Sequence, residues 1–395
     1  MPDAKKHLAG KEPQSAPVRN ALNQLDRCPA DLCTDEMLFG LGGGIGLIYF
    51  MFHLHEMDIA IVGTTYHPSE AEAPVFHMQM CEAWGATTEL LHSSSRSAAT
   101  KRLIKLLDDG QTPIIWVDYT KLPYLFPSGR PNMYHSIIVY EKDGDDFIIG
   151  DLSESPIRIS AGELEEARVS HYVPKFRTLV IKDAPVKPDI REALSERIRL
   201  TCSQMIDGLG IANFGLQAFG KMAAMITNAK NKKGWPRIYE TGPALHGLAS
   251  TLYDQIELRG FGSSAFRGLY ADFLEQSAGV LKKPALKKVA DQFRESDAGW
   301  KAIANAAMSS SFPVLKETRE VLDRRSVLLR KARTEKVNQE LDSLRTRLLE
   351  LRETSASELK LSSADILDWF TTIRERVLET EVIERAAFAD LRKTV

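Results

Sequence analysis

Residues 132–151 read NMYHSIIVYEKDGDDFIIGD, and how this stretch folds on itself decides the reading of the N-terminal half. Two β-rich runs, HSIIVYEK (135–142) and DFIIGD (146–151), flank Lys142-Asp143-Gly144. That triplet suits a three-residue hairpin turn with glycine in the left-handed position. In such a register His135 stands directly opposite Asp151, on one face, with Cβ atoms about 5 Å apart. An imidazole beside a carboxylate has its tautomer fixed and its protonated form stabilised, which is the arrangement a general base needs. A plain cross-strand hydrogen bond at a strand end would look the same in sequence.

Working outward, DIAIVG (58–63), PIIWVD (113–118) and FRTLVIK (176–182) are further short β-rich runs. SAPVRNALNQLD (15–26) reads as a helix with Pro17 in its first turn and Ser15 placed to accept from free amides. VFHMQMCEAWG (75–85) and AATKRLIKLLDDG (98–110) also have helical spacing, so the region from Ser15 to about Lys182 alternates helix and strand. A proline-bearing connector, DAPVKPD (183–189), follows, and everything beyond it is helical in period. Val337, Leu341, Leu344, Leu348 and Leu351 alternate gaps of four and three, a short seam that would pair with Ile366, Trp369, Phe370, Ile373 and Val377. A hairpin within the chain is preferred to a homo-oligomeric coiled coil, because too few heptads are sustained. The expected domains are therefore an α/β unit over 12–183 and a helical one over 189–395, ending in a long helical hairpin at about 314–392.

The stretch DEMLFGLGGGIGLIYF (35–50) carries glycines at 40, 42, 43, 44 and 46. A phosphate-binding loop would follow its last glycine with Lys and Ser or Thr, whereas Gly46 is followed by Leu47 and Ile48. A dinucleotide fingerprint would leave a strand, whereas CTDEMLF before the run reads as a short capped helix. Close backbone packing, or a shaped cleft wall, is the expected use of these glycines.

The 395 residues are 26% charged and 44% apolar with a net charge of −2, an ordinary globular balance with no footprint for nucleic acid or an anionic membrane. AKNKKGWPR (229–237) is the one short basic run and reads as a solvated loop. Cys28, Cys33, Cys81 and Cys202 form no CxxC pair and no zinc pattern, so no metal is expected and a reduced, cytoplasmic setting is the simplest reading. MPDAKKHLAGKEPQSAP lacks the apolar segment of a secretory signal, and no apolar run is long enough to span a bilayer.

Four segments together, SAPVRNAL (15–22), DEMLFGLGGGIGLIYF (35–50), YHSIIVYEKDGDDFIIGD (134–151) and IRISAGELEEAR (157–168), resemble the N-terminal domain of butirosin biosynthesis protein H. LYDQIELRGFGSSAFRGLYADFLEQSA (252–278) resembles the uncharacterised helical domain that usually follows it. The resemblance implies an α+β fold: a papain-like, transglutaminase-type domain with a Cys–His–Asp triad, then an all-α domain. It implies aminoacyl transfer from an acyl-carrier-protein thioester to a small amine acceptor, with no cofactor, His135 as base and Asp151 as its orienting acid. The RN pair at Arg19 and Asn20 belongs to the pattern, and Asn20 with Gly42, Gly43 and Gly44 would line the substrate groove.

The family nucleophile, a cysteine two residues before the serine, falls on Pro13 here, preceded by Glu12. A proline has no side chain able to attack a thioester. The Ser-Glu pair usual before the glycines is replaced by Cys33-Thr34. Either Ser15 or a displaced Cys28 substitutes, giving an acyltransferase-like protein of specialised metabolism, or the chain is a catalytically degenerate relative that binds or supports a partner. In the helical half, Glu257, Arg259, Arg267, Tyr270 and Asp272 flank Gly260-Phe261-Gly262. Glu257 and Arg267 either form an ion pair across a helix corner or contact a polar substrate.

Overall fold

The structure, a computed structural model, describes residues 4–54, 57–65, 74–125, 134–169, 176–259 and 263–395. In chain order the first helices are α1 (Ser15–Gln24), α2 (Asp35–Gly42), α3 (Val75–Trp84), α4 (Arg96–Asp108), α5 (Ala161–Val169), α6 (Arg191–Asp207) and α7 (Gln217–Ile226). They are followed by α8 (Trp235–Ile238), α9 (Gly242–Tyr253), α10 (Arg267–Leu281), α11 (Ala285–Ala307), α12 (Pro313–Arg330), α13 (Glu335–Glu358) and α14 (Ser363–Thr394). The strands are β1 (Ile48–Leu54), β2 (Met57–Gly63), β3 (Thr87–Leu91), β4 (Ile114–Asp118), β5 (Tyr134–Asp143), β6 (Asp146–Gly150), β7 (Ile157–Ser160) and β8 (Thr178–Asp183). The fold is α+β, with the larger sheet in the N-terminal region and helices in the C-terminal region. Among the described residues no helix is long and apolar enough to cross a membrane.

Two compact units divide the chain, but not at one boundary. The first comprises Met1–Gly43, Ser69–Leu194 and Val327–Glu340; the second comprises Gly44–Pro68, Ser195–Ser326 and Leu341–Val395. The single expected break at 183–189 is thus replaced by an exchange of segments, and the glycine run itself is split between Gly43 and Gly44.

The first unit is built on a six-stranded sheet of order β3-β8-β4-β5-β6-β7, every pair antiparallel. On one face Ile115, Val117, Ile137, Val139 and Ile149 pack with Leu103 and Leu107 of α4 and Leu164 and Ala167 of α5. The other face carries α1, whose Asn20 is bonded to Tyr140 of β5. Because both faces are covered, β4 and the central part of β5 are buried without alternation, which is why IIWV and SIIVY read as unbroken apolar runs.

The β5–β6 hairpin differs from the expected one. Asp143 pairs with Asp146, so the loop is the two residues Gly144 and Asp145, with Gly144 at φ 61° in the left-handed region as anticipated. A bulge at Tyr140 then shifts the ladder, which continues as Val139↔Ile149 and Ile138↔Gly150. Extending it sets Asp151 across from Ile137, two residues from His135 and on the same face. Strands β1, β3 and β7 were not anticipated; IRISAGELEEAR is β7 followed by α5.

The second unit contains the β1–β2 hairpin and the remaining helices. Its centre is Arg267, which is fully buried. Nε and Nη2 donate to the two oxygens of Glu384 at 2.6 and 3.1 Å. Nη1 donates to the carbonyls of Thr64 and Ala265, and Nη2 also to that of Gly46, so all five N–H groups are occupied. Glu384 accepts in addition from Ser296 and from the indole of Trp300, over which the guanidinium lies. The partner of Arg267 is therefore Glu384 and not Glu257, whose carboxylate takes the hydroxyl of Ser264 at 3.2 Å. Ser264, Ala265 and Phe266 all have positive φ, a run that costs free energy at non-glycine residues and is held here by the bonds to Arg267 and Glu257. Gly260-Phe261-Gly262 lies outside the described residues.

The chain ends in three consecutive helices, α12, α13 and α14. Trp369 of α14 donates to the carbonyl of Ala306 and stacks near Phe312, while Phe370 meets Trp235 of α8. α13 meets the start of α9, where a Cβ on Gly242 would lie 2.0 Å from the carbonyl of Ser355. It is tied to α12 by Arg347 bonded to Glu317 at 2.7 and 2.9 Å. Glu384→Gln leaves a buried guanidinium without its counter-charge and is expected to destabilise the second unit by about 3–5 kcal/mol. Denaturant unfolding followed by tryptophan fluorescence measures this, and a loss below about 1 kcal/mol contradicts the central role of the pair.

Candidate active site

His135 is the second residue of β5, paired in the ladder with Val117 of β4, and Asp151 follows the last residue of β6. The imidazole Nε2 lies 3.0 and 2.9 Å from Oδ1 and Oδ2 of Asp151. The carboxylate also accepts from the Tyr124 hydroxyl at 3.0 Å and from the Leu152 amide at 2.8 Å. Burial works against the charge of Asp151, yet the pull of His135 and these hydrogen bonds hold it below the usual carboxylate range. Burial and the neighbouring Asp151 push the phenol of Tyr124 upward, so it stays a donor. Tyr119 sets its ring edge-on to His135, with centroids 5.8 Å apart. With Nε2 committed to the carboxylate, Nδ1 is the nitrogen left to exchange a proton, and it makes no hydrogen bond among the described residues.

The start of α1 is anchored beside this strand. Ser136, next to His135, donates its hydroxyl to the carbonyl of Pro13 at 2.7 Å and is 2.9 Å from Nε2 of His77. The amide of Ala16 bonds to the carbonyl of Glu12 at 3.0 Å, so the first turn reaches back to Glu12. Glu12, and not Ser15, does the capping: its Oε2 accepts from the amides of Gln14 and Ser15 at 2.9 and 2.6 Å. Pro13 thereby lies in the turn that leads into α1, where a missing N–H is lost at no cost and a fixed φ is an advantage.

Several expected residues are placed elsewhere. The Ser15 hydroxyl is fully buried and donates toward Asp35 Oδ1 at 3.2 Å, an oxygen of a carboxylate that also takes Arg19 at 2.8 Å; it is not brought to His135. Cys28 is bonded to Cys33 in a disulfide, which corrects the expectation of reduced thiols and removes Cys28 as a nucleophile in this form. Burial pushes the Cys81 thiol up to about 12. Asn20 spends its whole carboxamide on the fold: Oδ1 accepts from Leu8 and Tyr140, and Nδ2 donates to the carbonyls of Leu8 and Ala16. A Cβ on Gly42 would lie 2.5 Å from the Phe76 ring, and one on Gly44 would lie 2.8 Å from the Tyr270 ring. Gly43 and Gly44 have φ of 131° and 67°, so these glycines permit close packing and reverse the chain after α2. Arg267 and Glu257 lie in the second unit with the partners described above.

Tyr124, Glu12 and Arg333, which stands over the Tyr124 ring, were not found from sequence. None has a local pattern; only the Glu12-Pro13 dipeptide ahead of a helix offered a signal, that of a cap followed by proline. Among the described residues no group of three His, Cys, Asp or Glu could hold a metal ion.

Glu12 is fully buried, its Oε1 has no hydrogen-bond partner, and burial, opposed by the two amides and reinforced by Asp35, raises its carboxyl to about 7. The folded state therefore keeps a proton that the unfolded chain releases near 4.5. This contribution to stability is complete below that value and is lost as pH rises through about 7, to an extent of about 3 kcal/mol. Glu12→Gln keeps the acceptor oxygen and cannot ionise, so its melting temperature should fall less than that of the wild type between pH 5 and 8. Parallel melting curves for the two proteins would show that Glu12 is not the group titrating.

Residues 14–152 match the family described as butirosin biosynthesis protein H, N-terminal, and residues 162–341 match the domain of unknown function DUF4872. Among solved structures the chain is similar to a C39-like peptidase from Bacillus anthracis, at 14% identity and a TM-score of 0.31, over 47% of this chain and 98% of that one. No curated protein matches it. The His–Asp hairpin and the helix docked on β5 lie within the first match, and the motif around Arg267 lies within the second. The chain thus joins an N-terminal domain of the butirosin biosynthesis protein H family to a DUF4872 domain.

Proposed function

We propose that the first unit is an acyltransferase site of specialised metabolism that passes an acyl or aminoacyl group from a thioester, such as that of an acyl carrier protein, directly to an amine. The observation that carries this reading is the His135 ring, oriented through Nε2 by both oxygens of Asp151 and with Nδ1 making no hydrogen bond among the described residues. Neither Pro13, nor Ser15 at Asp35, nor the Cys28–Cys33 disulfide supplies a nucleophile, so the acceptor amine itself attacks. The amine nitrogen forms the C–N bond at the thioester carbonyl as His135 Nδ1 takes its proton. Collapse of the tetrahedral intermediate breaks the C–S bond, and the imidazolium returns the proton to the departing sulfur. Asp151, kept ionised, stabilises the imidazolium in between.

The second reading, a degenerate relative that binds a thioester or a partner protein without turnover, is favoured by Pro13, since the helix start accepts that residue without disruption. Incubating the chain with an acyl thioester and a panel of small amines, with products followed by mass spectrometry, separates the two. Direct transfer predicts an N-acyl product, no acyl adduct on the protein, and a rate about 10²–10⁴-fold lower for His135→Ala. Thioester binding without product supports the second reading, and equal rates in wild type and His135→Ala sink the first. Pro13→Cys should acquire a thiol that takes up an acyl group if position 13 still faces the dyad.

A further inference from the structure

The segment Val327–Glu340 belongs to the first unit despite its distance along the chain. The Glu154 amide donates to the carbonyl of Arg330 at 2.6 Å, and Leu329 packs on the core under the sheet. This anchorage brings Arg333 over Tyr124, with Cζ 5.4 Å from the ring centroid. The hydroxyl of that ring is bonded to Asp151, which holds His135, so the guanidinium stands one side chain away from the dyad.

Its hydrogen bonding is incomplete. Nε and Nη1 of Arg333 are shielded from solvent and have no acceptor among the described residues. Each such N–H is unfavourable while it stays unpaired, and a cation over a ring face does not supply the missing acceptor. Asp151 is near enough to act on Arg333 through its charge, but its oxygens are occupied by His135, Tyr124 and the Leu152 amide. Arg267 is the internal contrast, a guanidinium whose five donors are all satisfied by protein. The remaining nitrogen of Arg333, Nη2, shares an edge of the guanidinium with Nε and another with Nη1. A planar or tetrahedral oxyanion that reaches Nη2 therefore gains a second bond from one of the unpaired nitrogens.

We infer that Arg333 is an anion-binding residue that anchors a carboxylate or phosphate group of the ligand beside the His135–Asp151 pair. The anchored group lies across the Tyr124 ring from the dyad, so the ligand carries its anion some distance from the reacting atoms. The inference deepens the proposed function by naming the substrate class, and it is tested by binding, separately from turnover.

The full chain is titrated by calorimetry at constant ionic strength with inorganic phosphate and, separately, with benzoate. At least one should bind saturably to wild type and at least tenfold more weakly to Arg333→Gln. The titrations contain neither thioester nor amine, which keeps the subsite distinct from the transfer reaction. Tighter phosphate than benzoate identifies a phosphate-bearing ligand, and the reverse a carboxylate. Arg333→Lys keeps the charge over Tyr124 but loses the paired donors; it should also bind at least several-fold more weakly, and it serves if Arg333→Gln does not fold. Absence of binding by wild type, or equal binding by wild type and a folded Arg333 variant, overturns the inference. Anion binding without acyl product leaves it standing and removes the transfer reading instead.

Discussion

Ser136, held between His77 and the carbonyl of Pro13, ties the start of α1 to strand β5, and the docking of that helix on the sheet depends on the tie. It keeps the turn before α1 beside the strand that carries His135. Pro13 lies in the turn that leads into α1, where proline is tolerated, and its carbonyl is what Ser136 holds. Glu12 completes the arrangement by capping the helix with a buried carboxyl.

Buried ionisable groups are handled in opposite ways in this unit. Asp151 is given a cation-forming partner, a phenol and an amide, and stays charged. Glu12 has amides on one oxygen and nothing on the other, and it holds its proton to about 7. The arginines repeat the contrast across the two units, each considered by itself. Arg267 joins the flanks of the β1–β2 hairpin, the left-handed segment and α14 through donors that are all used, which marks it as a folding residue. Arg333 lies over an aromatic ring with donors unused, which is a poor way to stabilise a fold and a suitable way to wait for an anion.

The hairpin shows why a correct pairing can follow from an incorrect register. The expected three-residue turn is a two-residue one, and a bulge at Tyr140 offsets the ladder again. The net displacement at His135 is two residues, and side chains two apart share a face, so His135 and Asp151 still meet, diagonally. The terminal helices lacked such protection. The spacing of Val337, Leu341, Leu344, Leu348 and Leu351 states that a helix has an apolar stripe but not which surface covers it. α13 meets α9 where Gly242 approaches Ser355 and is bonded to α12 through Arg347 and Glu317.

The sequence by itself determined the local periods, the capped helix before the glycines, the need for glycine where backbone meets an aromatic ring, and the meeting of His135 with Asp151 on one hairpin. These are properties of residues close in the chain, where steric and hydrogen-bonding rules act directly. Only the tertiary structure decided that Ser15 turns to Asp35, that Arg267 pairs with Glu384, that Cys28 and Cys33 are joined, and that Arg333 reaches Tyr124. Each depends on which surfaces meet when the core closes, and burial then determines which carboxyl keeps its charge and which donor is left waiting.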